Sequence, residues 1–137
     1  DKTILDNSSG LAPKAPGMKY RHYAPKGDLT IVTGDSEEVV KYINEQATDF
    51  VAAGKKVGII ASDEMLQQYC ATIVKNIGNR TDEAAIARNL YRILREFDEE
   101  GAEIIFSEAF DDGGMGQAIM NRLLKAAGHK VVKLDKI

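Results

Sequence analysis

Apolar positions along the chain change period several times, and each change marks an element. Leu29 to Thr33, "LTIVT", is a short β-branched run that reads as a strand. Asp35 follows at an N-cap position, with Glu38 three residues on, where a capping box places its acid. Val39, Val40, Ile43, Ala47, Phe50 and Val51 then recur at helical spacing until Gly54, a glycine suited to the left-handed turn after a helix. "KVGIIA" (56–61) is too short for a helix between such breakers and predicts a buried strand. "EMLQQY" predicts a short helix. "ATIVKNIG" (71–78) fits a third strand, with helix as a close rival.

The second half is plainer. Thr81 and Asp82 offer caps, and Ala85, Ile86, Leu90, Ile93, Leu94 and Phe97 draw one apolar stripe up to Gly101. "AEIIFSEA" predicts a strand and "FDDGGMG" a loop. Ile119, Met120, Leu123, Leu124 and Ala127 predict a helix closed by Gly128, and "KVVKL" a last strand. Five near-continuous apolar strands separated by helical segments, with no hairpin signal between them, imply βαβ units. The fold class expected is α/β: a three-layer, Rossmann-like domain with a mainly parallel sheet of about five strands, covered on both faces.

Composition changes the picture at the amino-terminal end. All three prolines, Pro13, Pro16 and Pro25, lie in the first 25 residues, a mixture with Ser8, Ser9, Gly10 and Gly17 that suits neither helix nor central strand. Residues 1–28 carry five Lys or Arg against three Asp, whereas the whole chain of 137 residues has a net charge of −3, so residues 29–137 form an acidic body behind a basic arm. The expected division is an arm over 1–28 and the α/β domain over 29–137. At 44% apolar and 28% charged residues the chain can bury a core. No apolar run approaches the roughly 18 residues of a membrane span, and the single Cys70 permits no internal disulfide, so a cytoplasmic setting and core packing for Cys70 are expected. The opening at Asp1, with no initiator methionine, suggests a processed chain or a piece of a longer polypeptide.

A parallel sheet favours ligands at the carboxyl ends of its strands. There the sequence offers Gly34 and Ser36, Ser62, and the glycines Gly114 and Gly116 of "GGMG". None forms a dinucleotide or phosphate-loop fingerprint, and a tight turn with close helix packing explains the glycines better than a ligand cradle does. Glu108, Asp111 and Asp112 leave a hard-cation site open, against the simpler reading of acids complementing a helix N-terminus; no metal is assigned. His129, after Gly128, faces the last helix's carbonyl end. No nucleophile-and-base pattern or zinc motif stands in the body, which reads as a scaffold or binding domain.

The arm is chemically richer. Lys14, Lys19, Arg21 and Lys26 supply positive charge without an intervening carboxylate, while Tyr20, His22 and Tyr23 supply flat faces and hydrogen-bonding tips. That set suits a phosphorylated, base-containing partner, with cations on phosphate and rings on a purine. Direct tRNA binding is disfavoured by the acidic body.

"APGMKYRHYAPK", Ala15 to Lys26, resembles the interdomain linker of the two-domain, YrdC/YwlC-type threonylcarbamoyl-AMP synthases. "LTIVTGD", "VGIIAS" and "GMGQAIMNRLLKAAG" are similar to parts of that family's C-terminal domain, so the resemblance runs along essentially the whole chain. It implies a parent nucleotidyltransferase that makes threonylcarbamoyl-AMP and pyrophosphate from ATP, L-threonine and bicarbonate, for tRNA threonylcarbamoyladenosine modification. It also implies that the chemistry, with ATP and its magnesium, belongs to an N-terminal YrdC-like domain as partner. The chain itself would then be non-catalytic and hold no cofactor of its own. On that resemblance Lys19, Tyr20, Arg21, His22 and Tyr23 are the linker residues that cover the substrate. The alternative is an independent nucleotide-sensing module of the same enzyme, using Gly34, Ser36, Ser62, Gly114 and Gly116.

Overall fold

The computed structural model describes residues 24–110 and 115–134. Within them the elements run β1 (Asp28–Gly34), α1 (Ser36–Ala52), β2 (Val57–Ser62), a 3₁₀ segment (Asp63–Gln68), β3 (Ile73–Gly78), α2 (Glu83–Glu100), β4 (Ile104–Glu108), α3 (Met115–Ala126) and β5 (Val131–Leu134). All four strand pairings are parallel, in the order β3-β2-β4-β1-β5. The stretch over 71–78 that fitted either period is a strand on one edge. Pairing with β2 from Gly58 to Ser62 decides it, and Gly78 ends it at φ 130°, a conformation open to glycine.

Alternation along the strands builds the two faces. On β1, Leu29 and Ile31 join Ile60, Ile77 and Ile105 beneath α2 and α3. Val32 joins Ile59, Ala61 and Phe106 on the other side, beneath α1 with its Val39, Ile43 and Ala47. Period two in the strands and 3.6 in the helices thus give a three-layer domain with a core on each face of the sheet. Gly58 is where α2 comes closest to the sheet, for a Cβ there would stand 2.4 Å from Cε1 of the buried Phe97.

The two long helices start differently. Asp82 caps α2, its Oδ1 accepting from the Ala85 N–H at 3.1 Å. Asp35 occupies the cap position of α1, but its side chain accepts nothing from the first turn, so the expected capping box is not formed. Both helices end as foreseen, at Gly54 (φ 88°) and Gly101 (φ 77°). Cys70, expected in the core, is exposed: Tyr69 takes the buried position, and the Cys70 N–H donates outward to Asn44 Oδ1 at 2.9 Å. After α3 it is the backbone of His129, at φ 64°, that donates to the Leu124 carbonyl at 2.8 Å.

The chain enters the sheet at the amino end of β1. There the Lys26 N–H donates to Asp98 Oδ1 at 2.8 Å, and Lys130 pairs with Asp28. Gly27 lies against the turn after α2, where a Cβ would meet the Ala102 carbonyl oxygen at 2.5 Å. Backbone packed that closely admits no side chain, so the entry path is fixed by glycine. Among the described residues no helix is long and apolar enough to cross a membrane.

Candidate functional site at the strand carboxyl ends

The connections leaving β2 and β4, adjacent strands, run in opposite directions across the sheet: β2 leads outward to β3, and β4 leads back past β1 to β5. Such a reversal opens a crevice at the carboxyl ends of the strands. A cleft of about 320 Å³ lies there, lined by residues that include Thr33, Gly34, Ser36, Met65, Arg80 and Glu108.

Its floor is a carboxylate turned inward. Glu108 closes β4 with 3% of its side chain exposed, and such a charge persists only where donors replace its water. Three do. Arg80 Nη2 donates to Oε1 at 2.7 Å, the Tyr69 hydroxyl to Oε2 at 2.8 Å, and the Ser62 N–H to Oε2 at 3.2 Å. Arg80 also reaches the Ala109 carbonyl at 3.0 Å and lies 4.6 Å over the centre of the Phe110 ring. The Arg80 N–H is held in turn by the Glu64 carboxylate at 3.1 Å and 3.2 Å. The guanidinium is therefore fixed in plane by a carboxylate, a carbonyl and a ring. Burial, and then the neighbouring Glu108 charge, push the Tyr69 phenol far above its ordinary range, so it stays a neutral donor.

Of the residues singled out from sequence, Gly34 and Ser36 line the cleft. Gly34 has φ 148°, and a Cβ there would come within 3.0 Å of Leu134. Ser62 ends β2 fully buried; its N–H serves Glu108, and its Oγ has no hydrogen-bond partner among the described residues. Gly116 is buried in the first turn of α3, while Gly114 lies outside the described residues. Lys19, Tyr20, Arg21, His22 and Tyr23 also lie outside them, as do Asp111 and Asp112. Glu108, considered for a hard cation, has both oxygens engaged by Arg80, Tyr69 and Ser62. Arg80 and Tyr69 went unremarked in the sequence. The signal that pointed to them is an acid inside the apolar run "AEIIFSEA", since a buried carboxylate requires a cation from somewhere.

The cleft offers more donors than acceptors. Glu108 has spent its oxygens, whereas Arg80 Nε and Nη1 have no partner among the described residues. The first-turn amides of α1 lack a side-chain cap. The arrangement can hold an acceptor-rich ligand; among the described residues it contains no nucleophile paired with a base.

Residues 2–128 match the family model described as threonylcarbamoyl-AMP synthase, C-terminal domain. The threonylcarbamoyl-AMP synthase of Pyrococcus abyssi is 43% identical over 121 residues, covering 88% of this chain and 34% of that protein. The Bacillus subtilis enzyme is 41% identical over 133 residues, covering 97% and 37%. Among solved structures, P. abyssi Sua5 complexed with L-threonine superposes with a TM-score of 0.72 at 36% identity, covering 97% of this chain and 38% of that one. A C-terminal Sua5 domain from Pyrococcus horikoshii gives 0.65 at 32% identity, covering 81% of this chain and all of that one. The chain thus spans little more than a third of the length of these curated relatives. A match to the C-terminal-domain model over nearly the whole sequence, on the α/β frame just described, places it: the chain belongs to the threonylcarbamoyl-AMP synthase C-terminal domain family.

Proposed function

We propose that this chain serves a threonylcarbamoyl-AMP synthase as its non-catalytic supporting domain, residues 29–137, together with a substrate-covering strap, residues 1–28. The observation that carries the reading is the match to a C-terminal domain at 43% identity over only 34% of the relative. The reaction, ATP with L-threonine and bicarbonate giving threonylcarbamoyl-AMP and pyrophosphate, then belongs to a YrdC-like partner domain that also holds ATP and magnesium. Lys19 and Arg21 neutralise phosphate charge there. Tyr20, His22 and Tyr23 close the site, keeping water from the labile carbamoyl-adenylate. The setting is cytoplasmic, and tRNA is not bound directly, because residues 29–137 are net acidic.

Pyrophosphate release from ATP, threonine and bicarbonate tests this. The 137-residue chain alone releases none, and the two-domain enzyme releases it at a rate that Tyr20→Ala and Arg21→Ala reduce. Synthesis by the chain alone overturns the reading, and unaltered kinetics in both variants reduce the arm to a tether.

A second reading, a nucleotide-sensing site at the strand ends, is favoured by one observation: Gly34 and Ser36 line the same cleft as Arg80. Ser62 borders it through Glu108, and the reading also takes in Gly116, in the first turn of α3, and Gly114, which lies outside the described residues.

A further inference from the structure

We infer that the cleft at the carboxyl ends of β1 and β4 binds a small phosphomonoester of mononucleotide size, with Arg80 and the first turn of α1 holding the phosphate and Val39 and Met65 receiving the apolar body. The inference rests on the second reading above and gives that site its ligand class.

Three observations converge. The first is the balance of donors and acceptors. Among the described residues Glu108 is the acid lining the cleft, and its oxygens already accept from Arg80, Tyr69 and Ser62. Arg80 keeps Nε and Nη1 without partners among the described residues, on a guanidinium with 31% of its side chain exposed. A planar fork with an unused edge suits an oxyanion.

The second is the neighbouring helix end. Asp35 stands at the cap position of α1 without a side-chain bond to the first turn, so the amides following it have no side-chain acceptor among the described residues, and Ser36 lines the cleft beside them. Glu37 and Glu38 are exposed in that turn and are not part of the lining.

The third is size and polarity. At about 320 Å³ the cleft sits at the small end of ligand sites, which run from about 300 to 1,000 Å³. The half-buried Met65, with the buried Val39 and Val32 behind it, gives the lining an apolar part. A bare phosphate leaves that part unused, whereas a nucleoside monophosphate covers it.

The cleft also stands at the far end of β1 from the point where residues 24–27 lead into the sheet. The chain enters at the amino end of β1, and the cleft lies at its carboxyl end, seven residues or roughly 20 Å away.

Calorimetric titration of the 137-residue chain with AMP, inorganic phosphate and adenosine tests the inference. AMP is expected to bind one to one, and at least about tenfold more tightly than phosphate or adenosine. Ser36→Asp puts a negative charge at the cleft mouth in a position where helices accept acids, so it keeps the fold and weakens AMP binding by about tenfold or more. Arg80→Lys retains a cation for Glu108 but loses the fork, and also weakens binding. A Lys125→Ala chain, altered at an exposed lysine outside the cleft lining, binds as the unaltered one does. Absence of saturable AMP binding, equal affinity for AMP and phosphate, or AMP binding that survives Ser36→Asp and is lost with Lys19→Ala/Arg21→Ala overturns the inference. These titrations use no catalytic domain and measure no pyrophosphate, so their failure leaves the proposed supporting role standing, and the reverse holds too.

Discussion

Arg80 closes on Glu108, 28 positions further along the sequence, at 2.7 Å, fastening the loop before α2 to the end of β4. One partner is nearly buried, with 3% of its side chain exposed, and the other is only partly so, at 31%. The pair therefore joins a solvent-facing cation to an interior anion. Its removal is felt asymmetrically, because the carboxylate has nowhere else to find a charge.

Arg80→Ala leaves Glu108 with only the Tyr69 hydroxyl and the Ser62 amide. Breaking such a pair from the exposed side costs about 3 kcal/mol. Urea unfolding at neutral pH measures it. A loss under about 1 kcal/mol, the worth of an exposed ion pair, shows that Glu108 has readier access to water than its burial indicates.

The Tyr69 phenol gives the alkaline prediction. Its folded pKa lies above the ordinary 10.0, first through burial and then through Glu108. Stability from a raised pKa is complete below pH 10 and is lost as pH climbs past it, because the unfolded chain releases the proton first. Tyr69→Phe loses a hydrogen bond to a carboxylate, about 1.5–3 kcal/mol at pH 7, and above pH 10 its stability falls less steeply than that of the parent chain. Parallel slopes in the two proteins from pH 9 to 11 refute the assignment.

At Gly58 the prediction concerns space. A methyl group would stand 2.4 Å from Phe97 Cε1 and 2.7 Å from Cδ1, inside the core beneath α2. Gly58→Ala costs about 1–3 kcal/mol through overpacking. Pairing it with Phe97→Leu makes the two changes less costly together than their sum. Strict additivity in that double-mutant cycle removes the contact as the cause.

Caps supply a paired comparison. Asp82→Ala removes an acceptor for the Ala85 N–H and lowers stability by about 1 kcal/mol. Asp35→Ala, at the equivalent place on α1, removes no such bond and changes thermal stability little. Equal losses from both substitutions contradict the observed difference in capping.

How much of this was legible follows from the range of each interaction. Strands such as "KVGIIA" and stripes such as Ile86-Leu90-Ile93-Phe97 are local patterns, and they read correctly because burial on a face imposes the period. Gly54 and Gly101 read correctly for the same reason, each serving its own helix. The insertion of β4 between β2 and β1 was not legible, since strand order is a choice among distant partners. Cys70 was misplaced by a single position in the alternation, with Tyr69 taking the inside. Glu108 was noticed beside Asp111 and Asp112, its neighbours in sequence; its real partners, Arg80, Tyr69 and Ser62, come from three other segments. Gly34 and Ser36 were legible as a strand end and a helix start because that junction is a local signature.

Gly27 sets a limit on distance. Because its backbone is wedged against Ala102, the polypeptide before it has a fixed origin. Tyr20 stands seven positions earlier, and a chain spans at most about 3.6 Å per residue, or about 25 Å in all. Chain length alone thus keeps the Cα atoms of Tyr20 to Tyr23 within that radius of the corner where the sheet begins.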